Sequence, residues 1–483
     1  MNILVLDVGT SGMRGALMDE NAGLLWKKQV SYAPSYEENG KVTQAPSDWK
    51  NALFQICADC AGEYPVHALA VTSQRSSLIP LDAEGIPVSD AVMWQDTRNT
   101  EVCEALRTQD AFVRSRCGAA VNTVFSGGKM TWLRETEPDL YQHTRRLVVI
   151  PDYLIHEMTG EYVTDHTYGS RSLLMDIRKR SWSPELLDLF RVEEEKLCRL
   201  IAPSSAAGLI WEQFEKQTGI KSGTPVISCG GDQQCAALGQ GITGSGKVSV
   251  NLGTGAYLTA SCDRVPEVIP EGLICNASAI PAQYVLEANV LTCGAALDWL
   301  VHTPDYSVVA EAFRHSPPGA GGVLTLPYFQ GRSMPDWNSS ARAVFSGISL
   351  ENSYHDIVRS LVEGIAVEVC RSLQEIEKIQ PAAAVYLSGG LGRTEEIRQL
   401  IADVSGKKVW YGGEESAAIR GAWISAAICL HIQKSWDAAW QISCPEDMRV
   451  YTPDYALTAF YRNRSAEMET LYRRIYTETA QKM

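Results

Sequence analysis

Two stretches of this 483-residue chain share one pattern, which constrains the fold more than any other feature of the sequence. The apolar run 3–6 ends in Asp7, a Gly-Thr-Ser-Gly turn follows, and a second strand-like run covers 14–18. The same order returns at 248–258, again around a Gly-Thr pair. Glycines and small hydroxyl residues leave backbone N–H groups accessible to an anion. The sequence therefore predicts two related halves, each with a phosphate-binding hairpin, although either stretch alone is also typical of an ordinary glycine hairpin.

The composition narrows the class of protein. Hydrophobic residues make up 45% and charged residues 21% of the chain, which is typical of a globular protein. The net charge of −14 argues against a nucleic-acid partner and against an anionic membrane, because both favour basic patches. The first apolar run is too short for a signal peptide, and no stretch reaches membrane-spanning length. The thirteen cysteines lack the spacing of a disulfide scaffold, so we expect a cytoplasmic protein with reduced thiols. Cys57 and Cys60 form a lone C-x-x-C without the second ligand pair of a zinc site.

Strand-like and helical runs alternate throughout, which indicates an α/β protein. The predicted strands include 66–72, 147–150, 225–229, 248–252, 284–288 and 385–387. The predicted helices include 49–61, 128–135, 233–238, 294–302, 355–379 and 393–404. The duplication places the domain boundary near 239–246 and predicts domains 1–243 and 244–483.

The boundary segment 241–247 begins like a Walker A loop. Val248 then stands where Ser or Thr would bind magnesium, and a strand follows where a helix would begin. We therefore expect a simple turn, with Lys247 in solvent.

Three segments hold residue types suited to phosphoryl transfer. Asp7 ends a strand, where a carboxylate could hold Mg²⁺ beside phosphate. Asp232 lies between the strand 225–229 and a helix, where it could accept a proton from an alcohol. Local sequence alone favours the simpler interpretation that Asp232 caps the helix. The glycines at 389–390 join a strand to a helix near Thr394, a geometry suited to phosphate or a base but also found in ordinary loops.

Segments along nearly the whole chain, in order, resemble the FGGY carbohydrate kinases, a branch of the actin/Hsp70/sugar-kinase superfamily. They are residues 7–11, 72–75, 93–98, 125–133, 231–234, 252–255, 343–348 (followed by Asp356, Ile357 and Glu363) and 388–390. The resemblance implies two ribonuclease-H-like α/β domains around a central cleft, with sugar bound mainly by 1–243 and ATP mainly by 244–483. It also implies ATP-dependent phosphorylation of a hydroxyl on a small sugar or polyol. Dimers or tetramers are common in such a family.

The resemblance assigns roles to individual residues. Asp232 would be the general base and Asp7 would position Mg²⁺. The implied ATP contacts are Thr10, Ser11, Arg14, Gly253, Thr254, Gly389, Gly390 and Thr394. The implied sugar contacts are Gln74, Arg75, Ser76, Trp94, Asp96, Val124, Asp232 and Gln233.

Departures from the family pattern bear on the substrate. Glycerol kinases place glutamate where this chain has Ser76 and tyrosine where it has Val124, and xylulokinases usually carry Met-His at 75–76. Thr394 also replaces the asparagine of glycerol kinases. We therefore expect a ketose or a four- to six-carbon polyol as substrate. A glycerol kinase with altered pocket contacts is the alternative. A non-catalytic, actin-like nucleotide sensor is a remote one, because it would have no use for Asp232.

Overall fold

The computed structural model describes residues 1–302, 306–412, 417–445 and 447–476. The strands of the N-terminal half are β1 (Ile3–Val8), β2 (Gly12–Met18), β3 (Leu24–Ser31), β4 (Ser35–Tyr36), β5 (Val42–Gln44), β6 (Ala68–Ser73), β7 (Leu78–Leu81), β8 (Ala91–Val92), β9 (Arg146–Val149), β10 (Val163–Asp165), β11 (Met175–Asp176), β12 (Ser181–Trp182), β13 (Arg199–Ile201), β14 (Ser205–Leu209) and β15 (Pro225–Gly231). Its helices are α1 (Pro46–Glu63), α2 (Thr100–Leu106), α3 (Asp110–Cys117), α4 (Ser126–Thr136), α5 (Pro138–His143), α6 (Ile150–Thr159), α7 (His166–Ser170), α8 (Pro184–Phe190), α9 (Glu212–Thr218) and α10 (Asp232–Gly239).

The C-terminal half continues the alternation of strands and helices. Its strands are β16 (Lys247–Leu252), β17 (Ala256–Cys262), β18 (Ile274–Ala277), β19 (Tyr284–Val290), β20 (Leu324–Leu326), β21 (Val344–Ser346), β22 (Ala384–Ser388), β23 (Lys408–Tyr411) and β24 (Arg449–Tyr451). Its helices are α11 (Gly294–Val301), α12 (Ser307–His315), α13 (Tyr354–Glu377), α14 (Glu395–Ser405), α15 (Ala417–Cys429), α16 (Trp436–Ser443) and α17 (Tyr455–Tyr476). None of the helices in the described ranges combines the length and hydrophobicity needed to cross a bilayer.

The two large sheets repeat one topology. Their strand orders are β14-β15-β6-β1-β2-β3 and β18-β19-β17-β16-β22-β23-β24. In the first, β1 pairs antiparallel with β2 on one side and parallel with β6 on the other. In the second, β16 pairs antiparallel with β17 and parallel with β22. This duplicated order confirms the predicted α/β class with two ribonuclease-H-like units.

The predicted strands and helices all exist, with shifts at their ends. Ile150 was predicted to end a strand, but it begins α6, because the Asp152 carboxylate accepts the Val149 N–H at 3.1 Å and starts the helix there. The helix predicted from residue 393 begins at Glu395, because residues 390–393 form a separate short turn. The thirteen cysteines are free thiols, and Cys57 and Cys60 are buried within α1.

Lys247 was predicted to lie in solvent, and the structure shows it half-buried, with 28% of its side chain exposed. The segment before it is a turn, as expected, but the Lys247 ammonium donates to Thr243 Oγ1 at 2.8 Å and pairs with Asp437 at 3.3 Å. Asp437 lies on α16, far along the chain, so local sequence gives no sign of this pairing.

One helix of the C-terminal half packs on the N-terminal sheet. Trp423 and Ile424 of α15 share a hydrophobic cluster with Ile3 and Ile227 of that sheet. The same helix crosses α10 at very short range. Two glycines allow this approach: a Cβ at Gly421 would lie 1.8 Å from the Cys235 carbonyl oxygen, and one at Gly239 would lie 2.0 Å from the Ala417 carbonyl oxygen. The backbones of α10 and α15 are therefore in direct contact, and the contact joins the two halves.

The crossing makes a prediction for Gly421→Ala. The added methyl group would overlap backbone atoms of α10, so we expect a loss of about 1–3 kcal/mol in the free energy of unfolding, the usual cost of overpacking. Urea denaturation would measure it. Gly62→Ala is the matched control, because Gly62 is also helical but a Cβ there meets nothing within 4 Å. That control should be neutral or stabilising by up to about 1 kcal/mol. Equal stability of the two variants would contradict the close crossing.

Candidate active site

The carboxyl ends of three parallel strands form the floor of the site. β1, β6 and β15 lie side by side, and their register places Asp7, Thr72 and Gly230 in one row across the sheet. Ligands of open α/β sheets bind beyond this edge. Thr72 Oγ1 and Tyr168 OH both donate to the Gly230 carbonyl, at 2.8 and 2.9 Å. These bonds hold the end of β15 immediately before Asp232.

Asp232 is the first residue of α10, and Gly231 is the cap, so the interpretation of Asp232 as the helix cap is wrong by one residue. Its Oδ1 accepts the Gln233 N–H at 2.7 Å. The nearest cation is the Arg75 guanidinium, whose Nε lies 3.9 Å from the same oxygen. Because 28% of the Asp232 side chain is exposed, the carboxylate is accessible from the cleft.

The surroundings of Asp232 make it a stronger base than an ordinary aspartate. Burial raises its pKa to about 6, the carboxylates of Asp7 and Glu287 act in the same direction, and Arg75 opposes them. Burial also raises the pKa of Asp7, against the effect of its ion-pair partner Arg14. A carboxylate that titrates near neutral pH in a cleft is a candidate for general acid–base chemistry.

The first glycine hairpin lies beside Asp7. The Asp7 carboxylate is 3% exposed and pairs with Arg14, whose side chain is 49% exposed. Thr10 is half-buried and Ser11 is exposed at the tip of the turn. The hairpin thus presents two hydroxyls and a guanidinium close to one buried carboxylate.

Two predicted sugar contacts meet this hairpin. The Gln74 amide donates to the Gly9 carbonyl at 3.2 Å and accepts from Thr10 Oγ1 at 3.4 Å, so it braces the turn. Trp94 is 38% exposed, and its indole N–H donates to Thr10 Oγ1 at 3.3 Å. The structure therefore brings Trp94 and Thr10 together at the mouth of the site.

Asp96 is placed differently from a ligand-binding carboxylate. It is 1% exposed, and its oxygens accept from the Val42 N–H at 2.8 Å and from the Arg98 guanidinium at 2.8–3.1 Å. Its geometry is that of a residue that anchors the loop carrying Trp94.

Lys129 joins two loops of the site, a role that sequence analysis missed. Its buried ammonium donates to the carbonyls of Asp96 and Thr123, each at 2.7 Å. The first carbonyl belongs to the Trp94 loop and the second precedes Val124. Burial lowers the pKa of Lys129 to about 8, against the effect of Asp96. The lysine lies in the segment 125–133, which resembles the FGGY kinases. Its two acceptors come from other loops and are brought to it only by the fold.

Arg75 connects the two halves of the molecule. Its Nη1 donates to Glu287 of β19 at 2.8 Å and to Gln234 of α10 at 3.2 Å. Glu287 also lies 3.6 Å from Arg171. Sequence analysis missed Glu287 and Arg171, because neither stands in a segment whose local pattern indicates a site.

Ser76 contacts Arg171 directly, whereas Val124 precedes the residue on which Arg171 stacks. Ser76 is buried with a left-handed φ of +72°, and its hydroxyl donates to the Arg171 carbonyl at 3.4 Å. The Arg171 guanidinium stacks on the Phe125 ring at 4.4 Å, next to half-buried Val124. Gln233 is half-buried at the start of α10. Among the predicted sugar contacts, the structure thus places Arg75 beside Asp232, and Gln74 and Trp94 beside Thr10. Asp96 is bonded elsewhere, to Val42 and Arg98.

A cavity of about 210 Å³ lies where α10 and α15 meet the second sheet. The Tyr386 and Trp410 rings lie nearly parallel beside it, with centroids 6.1 Å apart. Gly389 borders it with a φ of +92°, and a Cβ there would lie 2.4 Å from the Leu252 carbonyl oxygen. Its lining residues are Ala236, Gln240, Asn251, Tyr386, Leu387, Ser388, Gly389, Trp410, Gly412, Ala417, Arg420, Pro445 and Met448. Aromatic walls with a few polar groups suit a planar heterocycle.

Of the predicted nucleotide contacts in the C-terminal half, Gly389 is the one that lines this cavity. Gly390 follows at once, and Thr394 stands at the cap position of α14. Gly253 and exposed Thr254 form the turn between β16 and β17, directly after Leu252. Trp410 and Arg420 were not predicted, because neither stands in a segment that resembles the family or that has the strand-and-turn pattern of the two hairpins.

Comparisons with known proteins agree over most of the chain. The N-terminal domain of the FGGY family of carbohydrate kinases matches residues 2–239, and its C-terminal domain matches residues 248–430. The chain is 26% identical to the glycerol kinase of Thermococcus kodakarensis over 422 aligned residues, and this alignment covers 84% of each chain. It is 25% identical over 483 residues to the xylulose kinase of Escherichia coli, 97% of this chain and 98% of that one. The crystal structure of Plasmodium falciparum glycerol kinase with ADP has a TM-score of 0.91 at 23% identity, over 99% and 98% of the two chains.

Proposed function

Since the chain belongs to the FGGY family of carbohydrate kinases, we propose that Asp232 removes the hydroxyl proton as phosphate passes from ATP to a small sugar or polyol. Carbohydrate kinase activity follows from the family itself, which sets aside the alternative of a non-catalytic sensor. One observation supports the role of Asp232 above others: a partly exposed carboxylate with a raised pKa stands at the common edge of three parallel strands. The hydroxyl oxygen attacks the γ-phosphorus, Asp232 takes the proton, and ADP leaves.

Residues near Asp232 are proposed to bind and orient the sugar. The Arg75 Nε lies 3.9 Å from Asp232 Oδ1, so its charge stabilises the ionised carboxylate. The guanidinium can also donate hydrogen bonds to hydroxyl groups. The exposed Trp94 ring offers an apolar surface to the carbon skeleton. Gln74, Asp96 and Lys129 act through these residues by fixing the loops that carry them.

Asp7 is the proposed Mg²⁺ ligand. Mg²⁺ usually takes only one or two protein carboxylates and completes its shell with water and substrate phosphates, so a single buried aspartate beside two hydroxyls fits it. The ion would neutralise phosphate charge when bound. Thr10, Ser11 and Arg14 are then the proposed phosphate contacts on this side of the cleft.

The cavity beside Trp410 is the proposed adenosine site. Gly389 lines it and Gly390 follows, while Gly253, Thr254 and Thr394 are proposed contacts beyond its lining. Small residues at turns admit phosphate and ribose. We propose on this basis that residues 1–243 bind mainly the sugar and residues 244–483 bind mainly ATP. A cytoplasmic enzyme, dimeric or tetrameric, remains part of the proposal, supported by its free cysteines and its family.

The proposed substrate is a ketose or a four- to six-carbon polyol. Ser76 and Val124 are small; Ser76 bonds to the Arg171 carbonyl, and Val124 precedes Phe125, on which the Arg171 guanidinium stacks. Glycerol phosphorylation with altered contacts remains the alternative, because a glycerol kinase is among the relatives at 26% identity.

Asp232→Asn tests the proposed base. Removing the proton acceptor should lower kcat by about 10²–10⁴-fold while sugar binding persists. A coupled ADP-release assay and calorimetric binding of the sugar would separate the two effects. Asp403→Asn is the control. Asp403 is also a buried aspartate, but it lies on α14, where its carboxylate accepts the N–H of Asp454. Near-wild-type kcat for Asp232→Asn would remove Asp232 from this role.

The raised pKa of Asp232 predicts an acid limb in the pH profile. The base must be ionised to work, so activity should fall as the pH drops through about 6, where this carboxyl takes up its proton. The measurement is kcat/KM between pH 4.5 and 8. A profile that stays flat well below pH 5 would show that Asp232 keeps the ordinary pKa of an aspartate.

The size of the pocket is tested by comparing glycerol with longer polyols and ketoses. We expect glycerol to be the poorer substrate of the unmodified enzyme. Val124→Tyr narrows the pocket and should raise the ratio of kcat/KM for glycerol to that for the best pentitol or ketose by about tenfold. The ratio on one variant cancels any general loss of activity. Faster turnover of glycerol than of every longer compound by the unmodified enzyme would favour the glycerol kinase alternative.

A further inference from the structure

A cluster of two guanidinium groups and one carboxylate lies next to the proposed base. Arg75 follows β6 and Arg171 follows α7, both in the N-terminal half, whereas Glu287 lies on β19 in the C-terminal half. The Glu287 carboxylate reaches both cations: Oε1 is 2.8 Å from Arg75 Nη1, and Oε2 is 3.6 Å from Arg171 Nη1. The exposed fraction of the side chain is 12% for Arg75, 9% for Arg171 and 16% for Glu287, so water screens their charges poorly.

The cluster is ionised at neutral pH. Burial would raise the pKa of Glu287, but the charges of Arg75 and Arg171 outweigh burial and hold this pKa below its ordinary value. Burial and the neighbouring Arg75 lower the pKa of Arg171 to about 9, which still leaves it charged at pH 7. Within the described part of the chain, Arg171 Nε and Nη1 have no hydrogen-bond partner.

Two guanidiniums so arranged are suited to a carboxylate. Arginine binds carboxylates through paired, charge-assisted hydrogen bonds, and two arginines with free donors would attract a substrate anion strongly. Here the Glu287 carboxylate, which belongs to the protein itself, already contacts both arginines. An incoming anion would meet Glu287 and Asp232 together, and like charges at such a site are costly.

We propose that Glu287 is a specificity-determining positioning residue that takes the place of a substrate carboxylate and restricts this kinase to uncharged sugars and polyols. The inference rests on the proposed function, with Asp232 as base and the sugar beside Arg75. It defines the substrate class by charge: alditols and ketoses are accepted, whereas aldonates of the same length are rejected.

The test compares substrates that differ only in this charge. Pentitols and hexitols are paired with pentonates and hexonates of the same configuration, and kcat/KM is measured for each with the unmodified enzyme and with Glu287→Gln. We expect the unmodified enzyme to prefer the alditol of each pair. Glu287→Gln keeps the shape but removes the repulsive charge, so the aldonate-to-alditol ratio should rise by at least about tenfold.

Two further variants separate charge from structure. Glu287→Asp keeps the negative charge and should keep the preference for alditols. Glu157→Gln should leave the ratio unchanged, because Glu157 is similarly buried at 14% exposure but pairs with Lys50 at 3.0 Å, outside the cluster. Each ratio is measured on a single variant, so partial loss of folding cancels.

Several outcomes would overturn the inference. One is an unchanged ratio in Glu287→Gln, and another is an equal gain for aldonates in Glu287→Asp. The unmodified enzyme also tests it alone, since phosphorylation of aldonates as efficient as that of alditols would exclude the selection by charge. An enzyme that phosphorylates alditols as expected but fails these tests keeps its proposed function. One that phosphorylates no polyol, ketose or aldonate loses the proposed function, and the inference falls with it.

Discussion

The direct backbone contact between α10 and α15 determines how the two halves of the site face each other. It exists because Gly239 and Gly421 have no side chains to separate the helices. α10 begins at Asp232, and its later residues line the cavity proposed for adenosine, together with residues at the start of α15. One helix therefore carries both the proposed base and part of the proposed nucleotide site. The distance between the two is set by a rigid element rather than by a loop.

Charge pairing supports this geometry within the cleft. The three acids Asp7, Asp232 and Glu287 face the three arginines Arg14, Arg75 and Arg171. Five of these six side chains are less than a third exposed, and burying such charges is tolerable only because each has an opposite partner. The pairing is unequal, however: Asp232 is the carboxylate whose nearest cation is 3.9 Å away and whose pKa is raised to about 6. Asp7 and Glu287 are each held in a close ion pair, with Arg14 and Arg75 respectively. Among the residues that the structure describes, Asp232 has no such close pair, which suits its proposed role of exchanging a proton.

Much of this could be predicted from the sequence, and the failures have a common cause. The two hairpins and the sheet strands were predicted because strand patterning and turn chemistry are local. Local sequence favoured a helix cap at Asp232, and its proposed role as base came from the resemblance to a family. Glu287, Arg171 and Trp410 were missed because their importance comes from partners far along the chain. Asp96 shows the same limit: one of its oxygens accepts from the Val42 N–H, which is 54 residues away in sequence, although its other partner, Arg98, is only two residues away. Lys247 was misplaced for the same reason, since its partner Asp437 is on a distant helix.

The packing of α15 on the first sheet also bears on how such a kinase could have diversified. The apolar face formed by Ile3, Val5 and Ile227 is covered by a helix that the gene encodes almost two hundred residues after the last strand of that sheet. Recombination that exchanged only the C-terminal half would bring a foreign helix onto this face. New combinations of N-terminal and C-terminal halves would fold only if that helix matched the existing sheet, so the two halves are constrained to change together.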